Sequence, residues 1–86
     1  GFFNLKDWDS EYLESEIHLK TGDSIAIGHS LSKITHMALY LSEGLYLSKF
    51  GLSGSLIVAD LQSMMGGFGG KSIWKLKAQK EHPPKD

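Results

Sequence analysis

The sequence predicts an α+β domain: a small antiparallel sheet of five or six strands, curled towards a half-barrel, with one short helix before the last strand. Three observations predict it. Apolar residues, β-branched in places, fall in short strand-length runs at residues 24–28, 35–41, 45–50, 55–59 and 72–77. Glycine-containing turns bound several of these runs, at Gly22-Asp23, Ser42-Glu43-Gly44 and Gly51-Leu52-Ser53-Gly54. The chain has 86 residues, room for one domain, and its 41% hydrophobic and 10% aromatic content is too high for a disordered chain.

Residues 1–16 mix Phe2, Phe3, Leu5, Trp8, Tyr12 and Leu13 with Asp7, Asp9, Glu11, Glu14 and Glu16. Asp9 or Ser10 is expected to cap a short helix running to about Ser15, and the aromatics to cover one side of the sheet. Ile17-His18-Leu19 reads as a short strand and Lys20-Thr21-Gly22-Asp23 as a turn. Residues 24–28 alternate, with Ile25 and Ile27 on one face, and the polar residues 29–33 read as a loop. Residues 35–41 and 45–50 form a hairpin, and 55–59 another strand. Asp60 is the N-cap of a helix over 61–65, stopped by Gly66-Gly67-Phe68-Gly69-Gly70. Those glycines lack the spacing of a phosphate loop. Residues 72–77 are the last strand. The chain thus divides into an aromatic and acidic lead-in (1–20), the sheet (21–78) and a polar tail (79–86), together one domain or a fragment of one.

Composition narrows the function. Net charge is −1, with nine lysines and no arginine, so neither nucleic acid nor an anionic membrane is an expected partner. No apolar run approaches the ~20 residues that span a bilayer. There is no cysteine, hence no disulfide, no thiolate zinc site and no cysteine nucleophile from this chain. A zinc site from His29 and His36 would need a third ligand such as Asp23, which the spacing does not demand. No cofactor is expected. The opening Gly1-Phe2-Phe3-Asn4 has no initiator methionine and no signal-peptide pattern, which reads as a tag remnant or a piece of a longer protein.

The hairpin carries the chemistry. A three-residue loop, Ser42-Glu43-Gly44 with Gly44 left-handed, pairs Leu41 with Leu45, Tyr40 with Tyr46, Ala38 with Ser48 and His36 with Phe50. His36, Ala38, Tyr40, Tyr46, Ser48 and Phe50 then share a face. The opposite face (Met37, Leu39, Leu41, Leu45, Leu47, Lys49) is nearly all aliphatic and is expected to be the core. His36 and Ser48 become diagonal neighbours, about 7–8 Å apart between Cα atoms. The hydroxyl is expected to bond one ring nitrogen and leave the other to act as a base. Tyr40 and Tyr46 on the same face are candidates for binding substrate or a partner.

"GDSIAI", a spacer and "HMALYLSEGLYLSKFG" resemble the Gly-Asp strand and the His-x-x-x-Tyr-Leu-x-x-Gly hairpin of papain-like hydrolases of the NlpC type, cell-wall peptidases and related amidases. The lecithin:retinol acyltransferase-like branch, a circular permutation of that fold, opens on a similar pattern. The resemblance covers about residues 22–51. It implies that His36 is the general base and that Ser48, twelve positions on, takes the place of the orienting polar residue. In the family that residue is usually histidine, asparagine or glutamine, so serine is a departure. The family's nucleophile is a cysteine at the head of a helix, which this chain lacks. The resemblance therefore implies the C-terminal, base-bearing sheet half of an amidase or peptidase. Its partner is then a cysteine-bearing N-terminal segment or a second chain, and its substrate a peptide or other amide. In the permuted arrangement the cysteine would instead lie downstream. The other reading is a catalytically inactive binding or partner-interaction module of the same fold.

Overall fold

Six strands and one helix follow one another as β1 (Trp8–Leu13), β2 (Ser24–Ser30), β3 (Lys33–Ser42), β4 (Leu45–Phe50), β5 (Ser55–Asp60), α1 (Leu61–Phe68) and β6 (Ser72–Gln79) in the computed structural model, which describes residues 4–50 and 54–79. All strands join one antiparallel sheet in the order β1-β6-β2-β3-β4-β5. The sheet stays open, with β1 and β5 as its edges. The expected architecture is present: a six-stranded antiparallel sheet with one short helix before the last strand. The tail from Lys80 onward and the turn at 51–53 lie outside the described residues.

The topology decides where the core sits. β5 and β6 lie towards opposite ends of the sheet, so the chain between them must cross β4, β3 and β2. α1 is the helix of that crossing, and it covers one face. Asp60 starts it by accepting the Ser63 N–H at 2.8 Å. Leu61, Met64, Met65 and Phe68 form an i, i+3, i+4, i+7 stripe. The stripe packs on Ile25, Ile27, Ala38, Tyr46 and Ile73, with Leu19 closing the cluster. A second cluster, Ala26, Ile34, Trp74 and Leu76, forms under Leu5 and Trp8 of the lead-in. Leu5 and Trp8 of the lead-in pack on that face, whereas Tyr12 is exposed, and the covering expected of Phe2 and Phe3 lies outside the described residues.

Several expectations need correction. The helix expected from Asp9 or Ser10 to Ser15 is a strand, β1, whose residues pair with β6. The local capping signal is overridden because β6 offers a full-length antiparallel partner. Ile17-His18-Leu19 forms no strand; Ile17 is 80% exposed, while Leu19 drops into the core. The loop expected at 29–33 shrinks to Leu31-Ser32, because β2 and β3 extend towards each other as a hairpin. The helix runs on through Gly66 and Gly67 to Phe68, and Gly69, at φ 83°, ends it by donating to Met65 O at 2.8 Å.

The most consequential correction concerns the two faces of the hairpin. The aliphatic odd face is the less buried one: Met37 and Leu45 are exposed, as are Leu56 and Val58 beside them on β5. The mixed even face is the core face, because α1 lies over it. The loop is also shorter than expected. Glu43 (φ 53°) and Gly44 (φ 77°) make a two-residue turn of type I′ geometry, with Ser42 opposite Leu45. Leu41 is left as a bulge, which restores the expected Tyr40–Tyr46 pair. The β3–β4 register ends at Leu39–Leu47, so the expected Ala38–Ser48 and His36–Phe50 pairs are not among those formed.

Candidate functional site: a buried imidazole under the helix

A bulge places the histidine. Ile27 pairs with His36 and Gly28 with Ile34, leaving Thr35 as the extra residue. Strict alternation would point Ile34 and His36 the same way. The bulge turns them to opposite faces: Ile34 under the lead-in, His36 beneath α1. The Thr35 hydroxyl fixes this arrangement, with Ile27 O at 3.1 Å and Gly69 O at 2.7 Å as acceptors for its one proton. One side chain thereby ties the bulge to the end of α1.

Phe68, on the last turn of α1, lies flat on the imidazole. The ring centroids are 3.7 Å apart and the planes 7° from parallel. His36 is 8% exposed and Ser48 3% exposed. Ser48 follows Tyr46 by two residues on β4 and so faces the same side, towards the core. The hydrogen bond expected between the two is not formed. His36 Nε2 and Ser48 Oγ are both buried without a hydrogen-bond partner. Burial also pushes the imidazole pKa below its ordinary value, since a charged ring there would lose its hydration. The ring is therefore neutral at neutral pH, the protonation state a general base requires.

Tyr46 is enclosed, with no exposed surface, and its hydroxyl donates to Glu16 Oε1 at 2.6 Å. Burial, and then the bond and charge of Glu16, hold the phenol above its usual pKa. Tyr40 meets the Tyr46 ring edge-on at 5.2 Å, and its hydroxyl accepts the Gly44 N–H at 3.2 Å. The two tyrosines, singled out above for binding, thus anchor the lead-in and the hairpin turn. Glu16→Ala should leave the Tyr46 hydroxyl buried and unpaired and cost about 1–3 kcal/mol. Urea denaturation followed by tryptophan fluorescence reads this loss, and an unchanged midpoint would mean that the bond contributes nothing.

His18 and His29 are exposed. Asp23 accepts the Lys20 N–H at 2.8 Å and lies 3.6 Å from Lys75 Nζ. Among the described residues no three His, Asp or Glu side chains are placed to hold a metal ion. Among the same residues no helix is long and apolar enough to cross a membrane. Sequence reasoning missed Phe68, treating it as part of a glycine stop. Its signal was the helical stripe from Leu61, which reaches Phe68 at the i+7 position. Comparison with family models, curated proteins and solved structures finds no match for this chain.

Proposed function

We propose that this chain is the base-bearing half of a papain-like cysteine hydrolase, an amidase or peptidase, with His36 as general base. The observation that carries the reading is the buried, neutral imidazole whose Nε2 has no partner, on the same side of the sheet as the equally unpartnered Ser48 hydroxyl. Structural polar groups in a core are nearly always bonded, so an orphan pair marks a place where another group belongs. A thiol set against Nε2 would lose its proton to the ring, giving a thiolate–imidazolium pair that attacks an amide carbonyl. This chain holds no cysteine, so the thiol comes from a polypeptide outside it. On this reading Ser48, twelve positions after the histidine, takes the orienter's role.

The test uses the complete domain, with the cysteine-bearing segment joined or added. His36→Ala should slow amide hydrolysis at least about a hundredfold. It should also slow alkylation of the cysteine by iodoacetamide at pH 7 about tenfold, because the thiolate loses its counter-ion. Ser48→Ala should cost about tenfold in hydrolysis. Turnover retained in His36→Ala removes His36 as the base.

A second reading is supported by a different surface. Met37, Leu45, Leu56 and Val58 are exposed together on the side of β3–β5 away from α1. A non-catalytic partner-binding module would use that side and not the enclosed Tyr46. Such a module tolerates His36→Ala and loses its partner on Val58→Asp.

A further inference from the structure

We propose that the last turn of α1 is a displaceable cover over His36, with Phe68 as its closing ring, and that it opens by local unwinding while the sheet stays folded. This rests on the reading of His36 as a base, and it names how that base is regulated.

The helix is held unequally along its length. Its first turn is capped by Asp60, and Met64 is 2% exposed in the core. Its last turn is Gly66-Gly67-Phe68, followed by Gly69 and Gly70. Glycine is the weakest helix former after proline, so the end that carries Phe68 has the least tendency to stay helical. Gly66 and Gly67 have open space where a Cβ would stand and no positive φ, so packing does not require glycine there. Gly69 and Gly70, at φ 83° and 115°, supply backbone conformations that other residues adopt rarely.

What the cover hides is equally specific. Phe68 is partly buried and stacks on the face of the ring whose Nε2 is unpartnered. In the closed state Nε2 of the imidazole gains no hydrogen bond from the protein, so closure leaves a buried polar atom unsatisfied. Opening hydrates Nε2 and breaks bonds of the last turn, the Gly69-to-Met65 and Thr35-to-Gly69 bonds among them. A glycine-rich turn whose unwinding returns water to a buried unsatisfied atom is the pattern of a local opening at the low-stability end of a protein. Nε2 has no exposed surface in the closed state, so a thiol or substrate reaches it only in the open state.

The test needs neither a nucleophile nor a substrate. Diethyl pyrocarbonate at neutral pH modifies accessible neutral imidazoles, and mass spectrometry locates the product. His18 and His29, both exposed, serve as internal references on the same chain. His36 should react more slowly than they do, at a rate nearly flat across low urea while global unfolding rises steeply. Phe68→Ala should raise its rate about tenfold. Gly66→Ala/Gly67→Ala, which strengthens the last turn without new contacts, should lower it about tenfold. The second variant keeps the test alive if Phe68→Ala fails to fold. A His36 rate that follows global unfolding throughout the urea series overturns the cover. So does a rate that the glycine pair leaves unchanged. The two failures separate: a local opening combined with turnover retained in His36→Ala rejects the base and keeps the cover. An essential His36 that reacts only on global unfolding rejects the cover and keeps the base.

Discussion

Gly28→Ala is expected to cost about 3 kcal/mol or more and to lower the urea midpoint sharply. A Cβ on Gly28 would stand 2.4 Å from Lys33 O and 2.8 Å from Ile34 Cα, both backbone atoms that no rotamer change can move. Gly70 closes the other side, since a Cβ on it would lie 3.0 Å from Gly28 Cα and N. The Lys71 N–H donates to Gly28 O at 3.1 Å across that approach. A methyl group must therefore push β3 away at the bulge itself, and the bulge is what separates Ile34 from His36. For a domain of this size total stability is of order 5–10 kcal/mol, so the loss removes a large share of it. Gly66→Ala is the control, because its Cβ meets nothing within 4 Å and its helix propensity improves. A Gly28→Ala midpoint as high as that of the parent would mean that the chain relaxes around the bulge, and that the bulge does not fix which way His36 points.

The contrast between those two glycines marks how far the sequence could be read. Nothing in "AIGHS" distinguishes Gly28 from a turn glycine, since its demand comes from backbone 33–34 and from Gly70, far along the chain. Elements with a strong local signal were legible: the alternation of Ile25 and Ile27, the β-branched Ile57-Val58, the Asp60 cap and the last strand around Trp74. The face inversion in the hairpin was not, for a physical reason. Both faces of β3–β4 are apolar enough to be buried, and which one is buried depends on where α1 crosses. That follows from the strand order, a long-range property. The two bulges compound it, because each reverses the inward and outward sense of a strand without any marked residue of its own. His36 was legible as a candidate because an imidazole stands in an apolar strand. Its cover was not, because Phe68 sits among glycines that read as a stop. Only the stripe from Leu61 connects it to the sheet.

His36→Phe should make the protein more stable, by about 1–3 kcal/mol at neutral pH. Phenylalanine keeps a flat ring against Phe68 and removes a buried nitrogen that has no partner. Ser48→Ala should act in the same direction, since its Oγ is also unpartnered. The acid response gives an independent check. Burial lowers the pKa of His36 in the folded state, so between that value and about 6.5 the unfolded chain binds a proton that the folded one does not. Stability from this group is complete above about pH 6.5 and falls as the pH drops towards the folded-state value. Urea midpoints at a series of pH values between about 5 and 8 should diverge, with His36→Phe losing less on acidification than the parent. A His36→Phe protein that is weaker at pH 8, or that keeps the parent's full acid loss, would make the imidazole an ordinary structural residue. A gain on removing both groups would instead mean that the fold keeps two costly polar atoms it does not need for folding. Proteins tolerate such local conflicts chiefly where the residues serve chemistry, which is the physical ground for treating His36 and Ser48 as a site.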